Sequence, residues 1–378
     1  MTNARYRTPR SSLAAFLVAL ATMAALPSCS RPEPVLIGFA ASLTGKDYML
    51  GVDGRNALEL FARERNAGGG IAGRRIELAI RDFASDDANV VEMDRQLVED
   101  EGAGLVLGHF TSSSAELALP YFDAAGIPLV SPAATSTGLG GRDDAFFRTI
   151  MSSGRDPFLL AEHMASAGVD AVMVIATAQN APYVSTYVDV IAGAMPVAGD
   201  FRYVDVHGLD YAAMAAALER EPAGTDAAVL VVASAIDTGT IAQELRKRGI
   251  DEPLYVSGWA GNDDLVTYGG KAVEGAVFVH QIDFGSPGVV DFADRYERLF
   301  GTRPGFGAVE TWDAMLFVEA ALRTAAADGT SLLEAMRSIR SFEGASGTIL
   351  MDAYGDARRA LYFKQVRGGS IVVTGKAE

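Results

Sequence analysis

The sequence predicts an α/β protein of two doubly wound, parallel-sheet lobes. Three observations lead there. Short apolar runs alternate with amphipathic helical stretches along most of the chain. The 378 residues allow two domains at ~150 residues each. A tail of short strands and turns then breaks the alternation.

Val35–Ala41 is a short apolar run, the mark of a buried strand. Leu50–Asn66 places Val52, Ala57, Leu58, Phe61 and Ala62 near helical spacing, and Gly68-Gly69-Gly70 stops the helix. Ile76–Asp82 alternates as a strand does, and Asp87–Asp100 is a helix with acids in its first turn, where the dipole favours them. Gly104–Gly108 and Ile127–Ser131 are apolar strands. Between them lies a helix over Ser113–Ala125 that Pro120 is expected to break or bend. The second half repeats the logic, with helices at Asp156–Ala167, Tyr183–Ala194, Tyr211–Arg220 and Thr238–Arg248. Its strands are Val169–Thr177, Ala227–Ser234, Leu254–Ser257 and Ala276–His280. Helices over Val289–Phe300 and Ala308–Ala326 precede the tail, where Ser346–Leu350, Ala360–Val366 and Ser370–Val373 read as strands. Parallel sheets of this kind bind ligands at the carboxyl ends of their strands. The residues after Ala41, Gly108, Val130, Thr177, Ser234 and Ser257 are therefore where a site is expected.

Hydrophobic residues make up 49% of the chain and charged residues 21%, which places it among folded globular proteins rather than disordered ones. The net charge of −16, with no basic stripe, argues against nucleic acid and anionic lipid as partners. The N-terminus points to export. Arg5, Arg7 and Arg10 form a basic region, and Leu13–Leu26 is an apolar core too short for a comfortable membrane span. Leu26-Pro27-Ser28-Cys29 resembles a bacterial lipobox, with Pro27 a less usual choice. Residues 1–28 are thus expected to be a lipoprotein signal peptide, Cys29 the acylated residue and 29–34 a linker. Cys29 is the sole cysteine, so no disulfide competes for it. A plain secretory signal with an incidental cysteine is the alternative.

Two segments carry candidate site chemistry. His109-Phe110-Thr111-Ser112-Ser113-Ser114 follows a strand and opens a helix. A helix N-terminus offers free N–H groups and a partial positive charge, and Ser112 or Ser113 adds a hydroxyl donor for an anion. Helix capping would explain one serine, not three in a row. Ser131-Pro132-Ala133-Ala134-Thr135 follows the next strand, and its small residues let a ligand approach the backbone. An ordinary polar turn is the alternative there. Nothing points to catalysis or to a cofactor. His109, His163, His207 and His280 show no metal spacing, and no nucleophile elbow or phosphate-binding loop is present. A nucleophile–base pair of Ser112 and His109 is the remaining enzymatic reading, and three residues apart around such a turn the two are expected to point apart.

An ordered set of segments resembles the leucine/isoleucine/valine-binding proteins, the type I periplasmic solute-binding proteins of branched-chain amino-acid ABC importers. They are Ile37–Gly45 (IGFAASLTG), Asn66–Gly73 (NAGGGIAG), Arg81–Ala88 (RDFASDDA), Gly108–Ala115 (GHFTSSSA), Gly126–Thr135 (GIPLVSPAAT), Glu274-Gly275 and Trp312-Asp313-Ala314. The resemblance implies a three-strand hinge with a ligand cleft between the lobes. It assigns residues 35–150 and 282–345 to the N-terminal lobe, and 151–281 and 346–378 to the C-terminal lobe. It implies a small amino acid, carboxylate or amide as ligand and an ABC permease and its ATPase as partners, while the leader sets the expectation of an exported, lipid-anchored location. A sensor of the same fold, reporting to a receptor, is the rival.

Carried over by resemblance, Ser112 holds the ligand carboxylate, and Ala133 and Thr135 contact the ligand, Thr135 through its hydroxyl and N–H. The family's amino-acid binders supply an acid for the ammonium in the loop that reads Ser257-Gly258-Trp259-Ala260 here. Gly258 falls at that place, so Trp259 is expected to offer an apolar or cation-binding face instead, or else to pack in the hinge. The preferred ligand is then not a simple aliphatic α-amino acid, unless Asp237, Asp263 or Glu310 supplies the acid. Tyr183, Tyr48 and Leu50 are placed near the cleft, as contacts or as packing.

Overall fold

The computed structural model describes residues 32–45, 48–221 and 225–377, together with Met1. The leader and Cys29 lie outside the described residues. From Pro34 onward the chain builds two sheets. The first contains β1 (Val35–Ala41), β2 (Ile76–Asp82), β3 (Val106–Leu107), β4 (Leu129–Ser131), β5 (Phe146–Met151), β11 (Ser341–Gly344), β12 (Gly347–Met351) and β13 (Asp356–Arg358). Their order is β11-β12-β13-β5-β4-β3-β1-β2. The second contains β6 (Ala171–Thr177), β7 (Val197–Tyr203), β8 (Ala227–Val232), β9 (Leu254–Val256), β10 (Val277–His280), β14 (Leu361–Arg367) and β15 (Ser370–Ala377), in the order β15-β14-β10-β9-β8-β6-β7. The central ladders are parallel, and antiparallel pairs occur only where the late strands join.

Each sheet is covered on both faces, so its strands are buried throughout, as the seven-residue run of β6 shows. Against the first sheet lie α1 (Tyr48–Ala67), α2 (Val90–Arg95), α3 (Ser112–Ala125), and, later in the chain, three helices described below. Against the second lie α4 (Arg155–Ser166), α5 (Ala181–Ala194), α6 (Tyr211–Leu218), α7 (Ala235–Lys247) and α8 (Asp263–Gly269). The chain then returns through α9 (Pro287–Phe300), α10 (Phe306–Asp328) and α11 (Leu332–Ser338) to the first core. Helix α1 meets α10 closely, with Phe61 edge-on to Trp312 at 5.2 Å and Arg65 paired to Glu319 at 2.6 Å. Gly54 makes room for this contact, since a Cβ there would stand 2.9 Å from the Thr311 hydroxyl of α10, and 2.3 Å from the Phe110 ring beside it.

Helix α3 is capped by Thr111, whose hydroxyl accepts the Ser114 N–H at 3.2 Å, and it ends at Gly126 in the left-handed region (φ 65°). It runs unbroken through Pro120, which corrects the expected break there. Four strands, β5, β7, β11 and β13, were not expected. In β5 the apolar run is interrupted by Arg148, and β7 carries Gly199 and Asp200 at the sheet edge. The assignment of 346–378 to the second lobe is also corrected. Strands β12 and β13 pair in the first sheet, beside β5, and only β14 and β15 belong to the second.

Three chain segments pass between the sheets, after β5, after β10 and between β13 and β14. They are tied to one another. The Met151 N–H donates to the Gln281 side-chain oxygen at 2.7 Å, and the Gln281 amide donates back to the Met151 carbonyl at 3.2 Å. Arg359 donates to the Thr149 carbonyl at 3.1 Å and pairs with buried Asp313 at 2.9 Å. Asp313 also accepts the Ala345 N–H at 2.6 Å and the Ser346 hydroxyl.

Candidate functional site

Between the lobes lies a cleft of about 570 Å³, open mouth included, which is the size of a small-molecule pocket. Its floor on the first lobe comes from the carboxyl ends of β3 and β4. Ser112, at the first position of α3, is 1% exposed. Its Oγ accepts the N–H of Thr135 at 3.2 Å and of Ser136 at 3.0 Å. A hydroxyl has two acceptor positions and one proton. With both acceptor positions filled, Ser112 faces the cleft as a donor. Thr135 is similar, because Ser153 donates to its Oγ1 at 2.6 Å and leaves the threonine proton to donate elsewhere. The Thr135 N–H is taken by Ser112, so the expectation that it serves a ligand is corrected.

The loop around Thr135 is held by one buried cation. Arg148, 1% exposed, donates to the Ser136 carbonyl at 2.8 Å and the Ala134 carbonyl at 3.4 Å, and pairs with Asp356 at 2.6 Å. Ala133 lines the cleft, with its N–H on Ser131 at 3.3 Å. Ala134 does not line it and is packed in the core behind. Ser113 is also outside the lining. Its N–H donates across to the Asn180 side chain at 3.2 Å, which joins the two lobes.

The second lobe contributes Tyr183 and Trp259, edge-on at 5.7 Å, together with Gly258. A Cβ at Gly258 would stand 2.9 Å from the Val279 carbonyl, so the loop has no room for an acidic side chain at that position without shifting. Leu50 lines the cleft from the first turn of α1, whereas Tyr48 is 41% exposed and stays outside it. Asp237 is buried, accepts the Tyr203 hydroxyl at 3.2 Å, and is not in the lining, nor is Asp263. Glu310 of α10 is in the lining, fully buried.

Several lining residues were missed. Asp156 sits in the first turn of α4, just past β5, and would have been found had β5 been recognised. Burial pushes its carboxyl up to about 7. Asn180 follows β6 at φ 50°, a left-handed conformation that asparagine tolerates. Phe110, Phe306, His280 and Gln281 complete the walls, and His280 is held neutral by burial and by the positive charge of Lys364 and Arg359. His109 is elsewhere. Its Nε2 lies 3.0 Å from Asp94, both fully buried, so it does not pair with Ser112. A second chamber of about 410 Å³ continues past Leu50, Trp259 and Phe306 to Met49, Ile236, Asn262 and Asp264. Among the described residues no cluster of three or more His, Cys, Asp or Glu side chains is placed to hold a metal, and no helix is long and apolar enough to cross a membrane.

Comparison with known proteins agrees with this architecture. A family model described as periplasmic binding protein matches residues 34–370. The Leu/Ile/Val-binding protein homolog 2 of Brucella abortus (strain 2308) is 24% identical over 355 residues, 91% of this chain and 93% of that one. An amino acid binding protein of Pseudomonas aeruginosa is 35% identical over 102 residues, and that match spans only 27% of its length. Among solved structures, a branched-chain amino acid transporter substrate binding protein from Streptococcus pneumoniae, in complex with isoleucine, superposes with a TM-score of 0.80. It is 21% identical, covering 91% of this chain and 100% of that one. A solute binding protein of an ABC transporter from Rhodopseudomonas palustris BisB5, in complex with 3,4-dihydroxy benzoic acid, gives 0.79 at 22% identity, covering 92% and 97%.

Proposed function

Since the chain belongs to the periplasmic binding protein family, a binding protein and not an enzyme, we propose that it is the exported, lipid-anchored solute receptor of an ABC importer. It captures a small carboxylate-bearing molecule between its lobes and delivers it to a permease driven by an ATPase. The carrying observation is the pair of hydroxyls, Ser112 and Thr135, with acceptor positions occupied and protons left for an anion. The molecules bound by the two structural neighbours, isoleucine and 3,4-dihydroxy benzoic acid, differ in body and share a carboxylate. Trp259, Tyr183, Phe306 and Leu50 supply the apolar walls for the body of the ligand. A ligand that touches both lobes stabilises the closed form by its differential contacts, which is what drives closure.

A thermal-shift screen over amino acids, aliphatic acids and aromatic acids identifies ligands, because one at a hundred times its Kd adds ~2.7 kcal/mol of apparent stability. For the compound so found, Ser112→Ala and Thr135→Ala should each weaken binding by about ten- to a hundredfold, the loss of one hydrogen bond to a charged group. Unchanged affinity in both variants would remove these hydroxyls from the site.

The anchor is tested separately. Cys29→Ser should move the protein from the membrane fraction to the soluble exported pool. A variant that remains membrane-bound and processed as before would exclude acylation at Cys29.

A further inference from the structure

Helices α3 and α5 belong to opposite lobes, and their first turns meet across the cleft. Each brings a group that its own helix leaves unused. In α3, the Thr111 hydroxyl caps the third N–H, that of Ser114, at 3.2 Å. The second N–H, that of Ser113, finds its acceptor in the other lobe, the Asn180 side-chain oxygen at 3.2 Å. Asn180 immediately precedes α5, where an asparagine ordinarily bonds the second or third N–H of the helix it starts. Here it makes no such bond. Pro182, at the second position of α5, has no N–H to offer it. The Asn180 backbone is also left-handed, at φ 50°, where an ordinary cap is extended. Further along α5 a second link joins the same two lobes. The Thr137 and Thr186 hydroxyls stand 3.3 Å apart, and because Thr186 donates to the Pro182 carbonyl at 2.9 Å, Thr137 is the donor between them. Neither threonine lines the cleft, nor does Ser113.

We propose that Asn180 is a positioning residue for closure: by capping α3 from the opposite lobe it latches the cleft shut whatever the ligand, and so sets the strength of capture without choosing what is captured. The donor and the acceptor are both left over from local structure, and only closure brings them together. A spare N–H at a helix start carries part of the helix dipole, which strengthens its bond to an amide oxygen. Any compound that binds the closed form inherits this contribution, because the closed form is then a larger share of the molecules it meets. The latch acts equally for a charged and a neutral ligand, so it stands apart from the carboxylate reading above. It also gives Ser113 a role different from that of its neighbour. Ser112 offers its hydroxyl to the cleft, whereas Ser113 uses its backbone to hold the second lobe.

The test reads closure itself. In the full chain carrying Cys29→Ser, the substitutions Thr137→Cys and Thr186→Cys place the only two thiols where the hydroxyls approach, one on each lobe. Their disulfide equilibrium in a glutathione buffer measures how often the lobes meet. Adding Asn180→Gly keeps the left-handed backbone and removes the side chain. It should lower that equilibrium constant about fivefold, the net worth of one hydrogen bond, while the urea midpoint of the reduced protein stays unchanged. Asn180→Asp keeps the acceptor and sets a negative charge at the start of α3, so it should restore the constant or raise it. A residue that only touches the ligand, or only shapes the start of α5, would leave the constant where it was in both variants, and that result overturns the proposal. If the two thiols form no disulfide, a short bismaleimide bridges them and its rate replaces the equilibrium constant. No cross-link by either reagent while Asn180 is present would show that these faces do not meet in solution, and overturns the proposal as well. The carboxylate reading is untouched by all of these outcomes, since it stands or falls on ligand titration of the Ser112 and Thr135 variants.

Discussion

Arg148→Met is expected to lower the unfolding free energy by about 1.5–3 kcal/mol, because it removes the buried cation that joins half-buried Asp356 to the Ser136 and Ala134 carbonyls. The guanidinium is fully enclosed, and burial lowers its proton affinity, so the pair survives only through good geometry. It also spans the Thr135 loop, holding the carbonyls on either side of that residue. Affinity for a carboxylate ligand should therefore fall as well, since the Thr135 hydroxyl loses its fixed position. Arg148→Lys should rescue little, because one ammonium cannot reproduce the planar fork that reaches Asp356 and two carbonyls together. Urea unfolding and ligand titration of both variants check this. A loss of stability under ~1 kcal/mol in Arg148→Met would show that the pair is replaceable.

Asp313→Ala is expected to cost ~3–5 kcal/mol. Asp313 is fully buried and gathers the Arg359 guanidinium, the Ser346 hydroxyl and the Ala345 N–H. Removing it strands a buried arginine in the third passage between the lobes. Because that passage leads directly into β14, the damage should reach the second lobe and not stay local. Two unfolding transitions in place of one would be the sign of lobes that have lost their coupling, and urea unfolding followed by tyrosine and tryptophan fluorescence would reveal them. A single transition at the unmodified midpoint would show that the other two passages suffice.

Much of this was legible in the sequence. The alternation of apolar runs with helical spacing located β1, β2, β6, β8 and most helices, because burial on both faces of a parallel sheet writes itself as short continuous hydrophobic segments. The serine segment and the Ser131–Thr135 turn were legible for the same reason, since they must follow strand ends. What escaped was set by tertiary pairing. The β5 run hides Arg148 among apolar neighbours, so the strand and the acid after it, Asp156, went unread together. Strands β12 and β13 follow helices that belong to the first core, and nothing in their own residues says which sheet they join. Ala134 and Tyr48 were drawn in by proximity along the chain, while burial and the direction of the first turn of α1 decided against them. Glu310 was one of three acids offered for one place, and only the approach of α10 to the cleft separates it from Asp237 and Asp263.

The late return of the chain to its second sheet has a consequence during synthesis. Strand β10 is flanked on one side by β9 and on the other by β14, with Val277 opposite Gln365 and His280 opposite Tyr362. A chain made from its N-terminus exposes the apolar Val277–His280 edge throughout the production of α9, α10 and α11. Such an edge is a template for pairing with another copy until the last strands arrive to cover it. Release of a chain that stops short of Leu361 would thus yield a first lobe able to assemble β11, β12 and β13, joined to a second lobe with an open, sticky margin. Strand β14 is thus the seam that closes the second sheet over the edge of β10.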